Sequence, residues 1–464
     1  MDDDEVERVH TTAIRLLDEV GILVHSESVS GMLESNGARR SKDGTRMLIS
    51  EDMVKNALSV APKSVLLAST DAAQDIRIPA ANGRIFVANG GEGVQMVDLL
   101  TGDRRSPVLA DLRNFAILVD DLPQIDFFWG MVGALDQPAH LKELLEMKTS
   151  FEWTTKHIQL GAITAEQARK MVRMASVLMD GEDNLAKRPI ISSVQCPISP
   201  LTFEKGLVEA QVEFSRAGIP VVAMTAPVAG LSSPVTISGT VAQTTAENLA
   251  SLVISQAARK GAPFIFSSDS SPADLKTGSI DYGALETPLF RAASGQMAEY
   301  YDLPKMVAGL GLENLSYAID NIWEGVHYMT NCALVGSDLS AGFGGLDQAI
   351  GASYEQLVLD AWVWEIAREF IREFDFGDDA ISYDTIRDAG LDRNFLTKRH
   401  TSQRLRGEAI ATRVADCTVA ERLKAVDTRD AIARAYKEAS RILDSHHEPK
   451  IDSDQASAMD RIIR

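Results

Sequence analysis

Short apolar runs alternate with stretches of helical spacing from about residue 84 to residue 375. The run at 219–223 is apolar at every position, which is typical of a parallel strand covered on both faces. A long loop rich in Pro, Gly, Ser and Thr follows it, and helical spacing resumes near Ala246. This succession of strand, loop and helix predicts one βα unit of a parallel sheet, and long loops after strands are often functional.

Eight such units can be counted along this part of the chain. Their number and combined length predict an α/β protein with a (βα)8 TIM barrel at residues 84–375. An open doubly wound sheet is the alternative, but the Gly-x-Gly-x-x-Gly turn of a dinucleotide-binding fold is missing after the first strand. The strands are predicted at 85–89, 126–134, 158–162, 189–196, 219–223, 263–268, 306–311 and 334–343.

The two ends of the chain have different patterns. Residues 1–83 contain two predicted helices, the second of them capped by Ser50, and a predicted strand at 64–69. Residues 376–464 return to helical spacing, most clearly at 428–443. We therefore predict an N-terminal α+β appendage and a C-terminal helical extension that packs on the barrel as a cap.

Composition restricts the class of protein. No apolar run reaches the roughly 18 residues that cross a bilayer, and the acidic N-terminus does not resemble a signal peptide, so we expect a cytoplasmic protein and no membrane contact. The net charge of -20 argues against nucleic acid as a partner. Cys196, Cys332 and Cys417 lie far apart, which favours neither a disulfide framework nor a zinc ribbon.

In a TIM barrel the reacting groups lie at the C-terminal ends of the strands. No lysine occupies a predicted strand end, which disfavours Schiff-base chemistry, and the histidines avoid these positions, which disfavours a hydrolytic metal site. This pattern favours a cavity that receives a cofactor carried by another protein. The candidate site residues at the strand ends and in the loops beyond them are Glu92, Trp129, Gln195, Asp269, Glu286, Leu310, Gly311, Glu313 and Phe343.

These candidates also have ordinary structural explanations. The three glutamates are compatible with simple loop hydrogen bonds, and Trp129 lies in an apolar run where a core role is equally compatible. Cys196 is expected to be an inert buried thiol. The segment DSHH at 444–447 resembles half of a corrinoid-binding motif, but Pro449 stands where that motif needs glycine. The chain is therefore expected to hold no corrinoid by itself.

Several ordered segments resemble the trimethylamine methyltransferase family, whose members transfer a methyl group to the cobalt of a separate corrinoid protein. The resemblance covers most of the chain and implies a TIM barrel. The segments are LLDEVGI, ISEDMVKNALSVAPKSV, TGDRRSP, CPISPL, SSPVTISGTVAQTTAENLASLV, ALETPLFRAASGQMAEYYDLP, YEQLVLDA and KRHTSQRLRGE.

One departure from the family pattern concerns the substrate. The trimethylamine enzymes carry pyrrolysine at the end of the seventh strand, where this chain has Leu310 and Gly311. The chain therefore resembles the branch without pyrrolysine, which includes a glycine betaine methyltransferase. A quaternary ammonium needs no activation by pyrrolysine, because loss of one methyl group releases a neutral tertiary amine.

The resemblance implies a site that binds a cation in a dry pocket. Its candidate contacts are the aromatic residues Trp129, Tyr282 and Phe343 together with the glutamates, of which Glu92 ranks first. No cofactor is expected in this chain; cob(I)alamin is expected from a corrinoid protein that docks at the strand C-terminal face. We also expect a homo-oligomer. Two alternatives remain. The substrate is a carnitine-like compound or proline betaine, or the protein is not an enzyme and only binds quaternary amines.

Overall fold

The computed structural model describes residues 1–309, 329, 331–332, 334–347, 349–368, 375–392, 394–408, 428–445 and 447–464. Eight parallel strands pair in chain order, the last pairs with the first, and a bridge from Ala88 to Phe127 joins the first to the second. This closed order confirms the TIM barrel and excludes the open sheet. The strands are β1 (Phe86–Asn89), β2 (Phe128–Trp129), β3 (Ile158–Leu160), β4 (Ile191–Gln195), β5 (Val221–Thr225), β6 (Phe264–Ser268), β7 (Lys305–Gly309) and β8 (Leu339–Phe343).

Helices follow the strands on the outside of the barrel. The outward side chains of the strands pack on them, as Ile158 does in the cluster that includes Met171. The helix predicted at 318–333 lies mostly outside the described residues. The described barrel helices are Leu109–Asp121, Lys142–Trp153, Ala165–Leu178 with the short Glu182–Lys187, Lys205–Ala217, Ile237–Ala258, Thr287–Tyr300 and Tyr354–Ala367.

The helix after β5 begins earlier than the apolar pattern predicts. We expected helical spacing from about Ala246, but the helix begins at Ile237, where the Thr236 side chain accepts a hydrogen bond from Gly239 N. Its Ser/Thr-rich first half is buried, and Thr245 Oγ1 donates to Val241 O. A hydroxyl that bonds to the preceding turn is compatible with a helix interior. The predicted start was therefore wrong, because tertiary packing buries polar residues that the apolar pattern does not count.

The N-terminal residues cover one flank and one end of the barrel. Helices Asp3–Arg15 and Glu51–Val60 pack on the helix Ile237–Ala258. A hairpin of Val65–Leu67 and Ile76–Ile78 packs into the same apolar cluster as the inward side chains of the strands. We call this N-terminal end of the strands the lower end, and the hairpin closes it. The smaller elements are a π-helical turn at Leu16–Val20, helix Glu27–Ser35 and strands Leu23–Val24, Arg39–Arg40 and Met47–Leu48.

Two small sheets frame the opposite, upper end of the barrel. One joins strands from the loops after β1 and β8, and the other joins strands from the loops after β5 and β6. The loop after β4 adds Thr202–Phe203, which pairs with Leu23–Val24. The two sheets consist of Gln95–Val97, Arg104–Arg105, Gly345–Leu346 and Gly351–Ala352, and of Val228–Ala229, Ser271–Asp274 and Ser279–Ile280.

The C-terminal region is helical. Helix Thr428–Asp444 packs on Tyr354–Ala367 and Leu109–Asp121, and helix Ser453–Ile463 packs on Ala165–Leu178. These two helices therefore lie against the flank of the barrel. Within the described part of the chain, no helix combines the length and apolar character needed to cross a bilayer. The remaining described helices are Asp378–Ile381, Tyr383–Asp392 and Arg399–Glu408.

Candidate active site

Every second residue of a barrel strand points to the barrel axis, since side chains alternate between the two faces of a strand. Trp129, Val194 and Met224 pack with the interior cluster, whereas Phe128 belongs to the outer one. The same alternation continues past the strand ends, so alternate residues at the start of the upper loops also face the barrel axis. The residues at these inner positions are Glu92 after β1, Gly161 after β3, Cys196 after β4 and Asp269 after β6.

Side chains at the upper end are reached by solvent although protein surrounds them. Cys196 is exposed, yet desolvation raises the pKa of its thiol to about 12, with Glu92 and Asp269 adding to the rise. The Asp269 side chain is 27% exposed, and desolvation raises the pKa of its carboxyl as well. Solvent contact combined with desolvation is typical of a cavity wall. Cys196 is therefore a protonated thiol in this wall, in contrast to the buried thiol that we expected.

Glu92 lies in the turn after β1 with a φ of 59°, which is unusual for a residue other than glycine. Its amide donates to Gly130 O over 2.8 Å. Its Oε1 lies 3.4 Å from where a Cβ on Gly161 would be, so the carboxylate sits over the end of β3. Desolvation raises its pKa, Lys142 opposes the rise and Glu143 adds to it. Such a conformation at a cavity supports a functional role.

An acidic cluster stands beside Glu92. Lys142 Nζ lies 3.7 Å from carboxylate oxygens of both Glu143 and Glu146. Glu146 also accepts a 2.6 Å hydrogen bond from Ala134 N. Burial raises the pKa of Glu146 to about 7, and the charges of Glu92 and Glu143 contribute to the rise. Three carboxyl groups around one lysine make this side of the cavity electronegative.

A second charged group comes from the loop after β6. Asp269 accepts a 2.8 Å hydrogen bond from the Tyr282 hydroxyl and a 3.1 Å bond from Arg291 Nη2. Arg291 is only 3% exposed and was not among the predicted site residues. The hydrogen bond fixes the Tyr282 ring next to a carboxylate, and desolvation raises the pKa of the phenol.

Trp129 is anchored by the turn after β1. Asn89 Oδ1 accepts a 3.0 Å hydrogen bond from Trp129 N, and Asn89 Nδ2 donates to Trp129 O. A Cβ on Gly91 would lie 2.4 Å from the indole Cε2, so only glycine allows the backbone to approach the ring so closely. The indole is half-buried and faces the barrel interior.

Four predicted residues, Glu92, Trp129, Asp269 and Tyr282, are thus placed at the upper end of the barrel interior. Gln195 is 2% exposed and donates to Ser193 on the outer face of β4, and Phe343 packs on Trp364 with ring centroids 6.2 Å apart. Glu286 is exposed where helix Thr287–Tyr300 begins. Their roles in the site stay predictions. Leu310, Gly311 and Glu313 lie outside the described residues.

The buried helix Ile237–Ala258 positions the neighbouring strand ends. Asn248 Nδ2 donates to Ser267 O over 2.8 Å, and Asn248 Oδ1 accepts from Ser267 N over 3.0 Å. One residue earlier, Glu247 accepts from Ser199 Oγ over 2.8 Å and from Leu201 N over 3.0 Å. The helix therefore fixes both β6 and the loop that begins with Cys196.

A ring of exposed apolar side chains surrounds the upper end. Each described strand, except β7, contributes at least one of them from the loop or first helical turn that follows it. An apolar surface of this kind marks a protein interaction site more often than ordinary surface. We call these residues the apolar rim: Val94, Leu100, Leu135, Ile163, Ile198, Leu231, Val235, Leu275, Leu285, Leu289 and Ile350.

The structure gives no ligand set for a metal ion within the described residues, where no three His, Cys, Asp or Glu side chains converge suitably. The DSHH segment lies where helix Thr428–Asp444 ends, and His447 Nε2 contacts Ile442 O at 2.6 Å. This local contact belongs to an ordinary helix end.

The chain matches known proteins over its whole length. Residues 1–464 match the family profile described as trimethylamine methyltransferase (MTTB). The chain is 27% identical over 461 residues to the trimethylamine methyltransferase of Desulfitobacterium hafniense (strain DSM 10664 / DCB-2), covering 99% of this chain and 92% of that protein. It is 26% identical over 454 residues to the glycine betaine methyltransferase of Desulfitobacterium hafniense (strain Y51), covering 97% and 93%.

A solved structure with the same fold is the monomethylamine methyltransferase of Methanosarcina barkeri. The two chains superimpose with a TM-score of 0.53 at 10% identity, over 95% of this chain and 88% of the other. At this identity the likeness concerns the fold alone.

Proposed function

The chain belongs to the trimethylamine methyltransferase family, and from this premise we propose that it transfers an N-methyl group from a quaternary amine to cob(I)alamin on a separate corrinoid protein. The observation that carries the proposal is the cavity at the upper end, where carboxylates and aromatic rings converge. Glycine betaine, choline, carnitine and proline betaine are candidate substrates of this class.

The cavity suits a cation that has no N–H group to donate. Trp129 and Tyr282 offer aromatic faces, and a quaternary ammonium on such a face gains about 0.5 to 2 kcal/mol. Glu92 and the cluster around Lys142 add a negative potential, which is strong in a partly desolvated space. These groups attract the substrate without forming a covalent bond to it.

Methyl transfer then depends on position and on the leaving group. The N–CH3 bond breaks and its electron pair stays on nitrogen, while the new bond to the methyl carbon is formed by the electron pair of cob(I)alamin. The leaving group from a quaternary amine is a neutral tertiary amine. Unprotonated trimethylamine would have to release the dimethylamide anion, which is a far poorer leaving group. The chain's own residues therefore have to hold one methyl group toward the cobalt and exclude water.

The corrinoid partner is expected to dock on the apolar rim. The hairpin Val65–Leu67 and Ile76–Ile78 closes the lower end, so the upper end is the route by which cobalt can approach the cavity. Leu275 is 70% exposed within this rim. Leu275→Asp should slow methyl transfer to the corrinoid protein. Leu334→Asp is the matched control, because Leu334 is 76% exposed and precedes β8, at the lower end of the barrel.

The decisive experiment measures methylation of cob(I)alamin by its absorbance change. Glycine betaine, choline, carnitine, proline betaine and trimethylamine are compared at equal concentrations. We expect turnover with at least one quaternary amine and none with trimethylamine, because each 1.36 kcal/mol of added barrier costs about tenfold in rate and an amide leaving group adds many such steps. Comparable rates with trimethylamine would contradict the mechanism. Methylation by none of these compounds would favour a protein that only binds quaternary amines.

A further inference from the structure

We infer that Gln159, buried directly beneath the cavity, binds the end of the substrate remote from the reacting methyl group, and that this end carries a neutral hydrogen-bonding group, a hydroxyl, in place of a carboxylate. The inference rests on the proposed function and narrows its substrate class to hydroxylated quaternary amines.

Gln159 is a polar residue at the centre of an otherwise apolar strand. Its neighbours Ile158 and Leu160 face the outer helices, so Gln159 faces the barrel axis. Its Nε2 lies 3.9 Å from Met306 Sδ, and β7, which carries Met306, stands on the opposite side of the barrel. In the register of the sheet, Gln159 pairs with Trp129 on β2 and with Ser192 on β4. The amide therefore lies beside the proposed cation contact.

The hydrogen-bonding capacity of this amide is almost unused. Gln159 is 0% exposed, and its Oε1 has no hydrogen-bond partner among the described residues. The only contact of Nε2 there is the distant thioether of Met306, which is a weak acceptor. A buried polar atom without a partner costs about 1 to 3 kcal/mol. A ligand group that bonds to the amide would recover this cost, which points to a polar ligand at this level of the barrel.

The height of Gln159 fits the far end of a short substrate. Gly161 lies two residues further along the inner face of β3, which is about 6.6 Å closer to the upper end. The Glu92 carboxylate sits over Gly161, so an ammonium group near Glu92 is separated from Gln159 by about the length of a chain of two or three carbons. This order places the methyl groups toward the apolar rim and the remaining end toward Gln159.

Charge distinguishes a hydroxyl from a carboxylate at that end. The described cations near the cavity are already matched: Arg291 with Asp269, and Lys142 with Glu143 and Glu146. His157 is buried beside Ser192 and is neutral at physiological pH, because burial lowers its pKa to about 4. Among the described residues, a substrate carboxylate would find no unmatched counter-ion in this electronegative cavity. A hydroxyl needs none, and it can donate to Gln159 Oε1.

The test compares choline with propyltrimethylammonium, which has nearly the same size and charge and lacks the hydroxyl. Binding is measured by calorimetry and turnover by cob(I)alamin methylation, also with glycine betaine. We expect choline to bind about ten- to hundredfold more tightly than propyltrimethylammonium, and more tightly than glycine betaine. Gln159→Leu should remove the preference for choline by weakening choline alone.

Gln124→Leu is the matched control, because Gln124 also has an Oε1 without a partner among the described residues and lies before β2, at the lower end of the barrel. It should leave the choline preference unchanged; an equal loss would show that the effect is not specific to Gln159. A preference for glycine betaine over choline would overturn the inference. So would a change in melting temperature of Gln159→Leu without a change in the preference, which is the result expected if the amide only holds a buried water. Because binding is measured separately from methylation, failure of the proposed function remains distinguishable from failure of this inference.

Discussion

The two ends of the barrel treat buried polar groups in opposite ways. At the lower end, Lys156 Nζ donates to Leu122 O over 2.9 Å and to Ile125 O over 2.6 Å, and His157 bonds to Ala68 O and Ser192 Oγ. At the upper end, desolvation raises the pKa values of Glu92, whose side chain solvent still reaches, and of Glu146, whose ion pair with Lys142 is 3.7 Å long. Lys156 and His157 at the lower end are saturated, whereas the carboxyl groups of Glu92 and Glu146 at the upper end keep capacity for a ligand.

This difference separates stability from function within one fold. Saturated buried groups hold the lower loops and the N-terminal hairpin on the barrel, and replacing them leaves partners unpaired. Desolvated charged groups at the upper end lower the free energy of unfolding, and such groups occur where they can bind a ligand. The variants below test whether stability and substrate affinity can be changed independently.

The largest effect is expected at the lower end. Lys156→Met removes the ammonium that bonds to the backbone carbonyls of Val119, Leu122 and Ile125, of which Leu122 O keeps a 3.2 Å bond from Ile125 N. We expect a loss of about 3 kcal/mol or more in the free energy of unfolding, and an unchanged KM for the quaternary amine. Denaturant unfolding and the cob(I)alamin assay measure the two quantities. An increased KM with normal stability would remove the distinction between the two ends.

The next effect is expected at the upper end. Glu92→Gln keeps the shape of the side chain and removes the charge beside the substrate cation. We expect KM to rise about ten- to hundredfold, because an ion pair in a partly desolvated site is worth a few kcal/mol. Thermal stability should stay the same or rise, since a desolvated charge is lost. The control is Glu182→Gln at an exposed site in the short helix before β4; equal effects of the two variants would argue against a specific role for Glu92.

The pattern of apolar residues was sufficient to predict the barrel and most of its strands. Each strand is a short apolar run whose outer face meets helices, so the signal is local and repeated eight times. The start of helix Ile237–Ala258 was not predictable in this way, because its hydroxyl-bearing residues are buried by N-terminal helices that are distant in sequence.

The candidate site was predicted only in part for a related reason. Glu92, Trp129, Asp269 and Tyr282 follow strand ends directly or belong to a strand-end loop, so position along the chain indicated them. Arg291 and Glu146 come from helices, and their places near the cavity depend on packing that no local pattern records. Gln159 did have a local signal, a lone amide in the apolar strand IQL, but strand interiors are normally assigned to the core.

Trp129→Leu should have a moderate effect on affinity. The indole offers a cation–π contact worth about 0.5 to 2 kcal/mol, so KM should rise several-fold to about thirtyfold while the fold stays intact. Leucine keeps an apolar side chain against Gly91. KM and melting temperature are measured together. A lower melting temperature with unchanged KM would assign Trp129 to the core and leave the cation to other groups.

The smallest effect concerns pH. A quaternary ammonium keeps its charge at every pH, so any pH dependence of KM belongs to the protein. Burial raises the pKa of Glu146 to about 7, and this carboxyl is therefore ionised above pH 7 and neutral below it. We expect KM to rise about two- to fourfold as the pH falls from 8 to 6, because protonation of Glu146 removes one of several negative charges near the cation. Stability should change in the direction opposite to affinity: the folded protein binds this proton more tightly than the unfolded chain, so stability falls as the pH rises from 4.5 toward 7 and increases as the pH falls. Glu146→Gln should flatten both profiles, and any pH dependence of KM that remains would belong to Glu92, whose pKa is also raised. An unchanged KM profile in Glu146→Gln would show that the cluster around Lys142 does not act on the substrate.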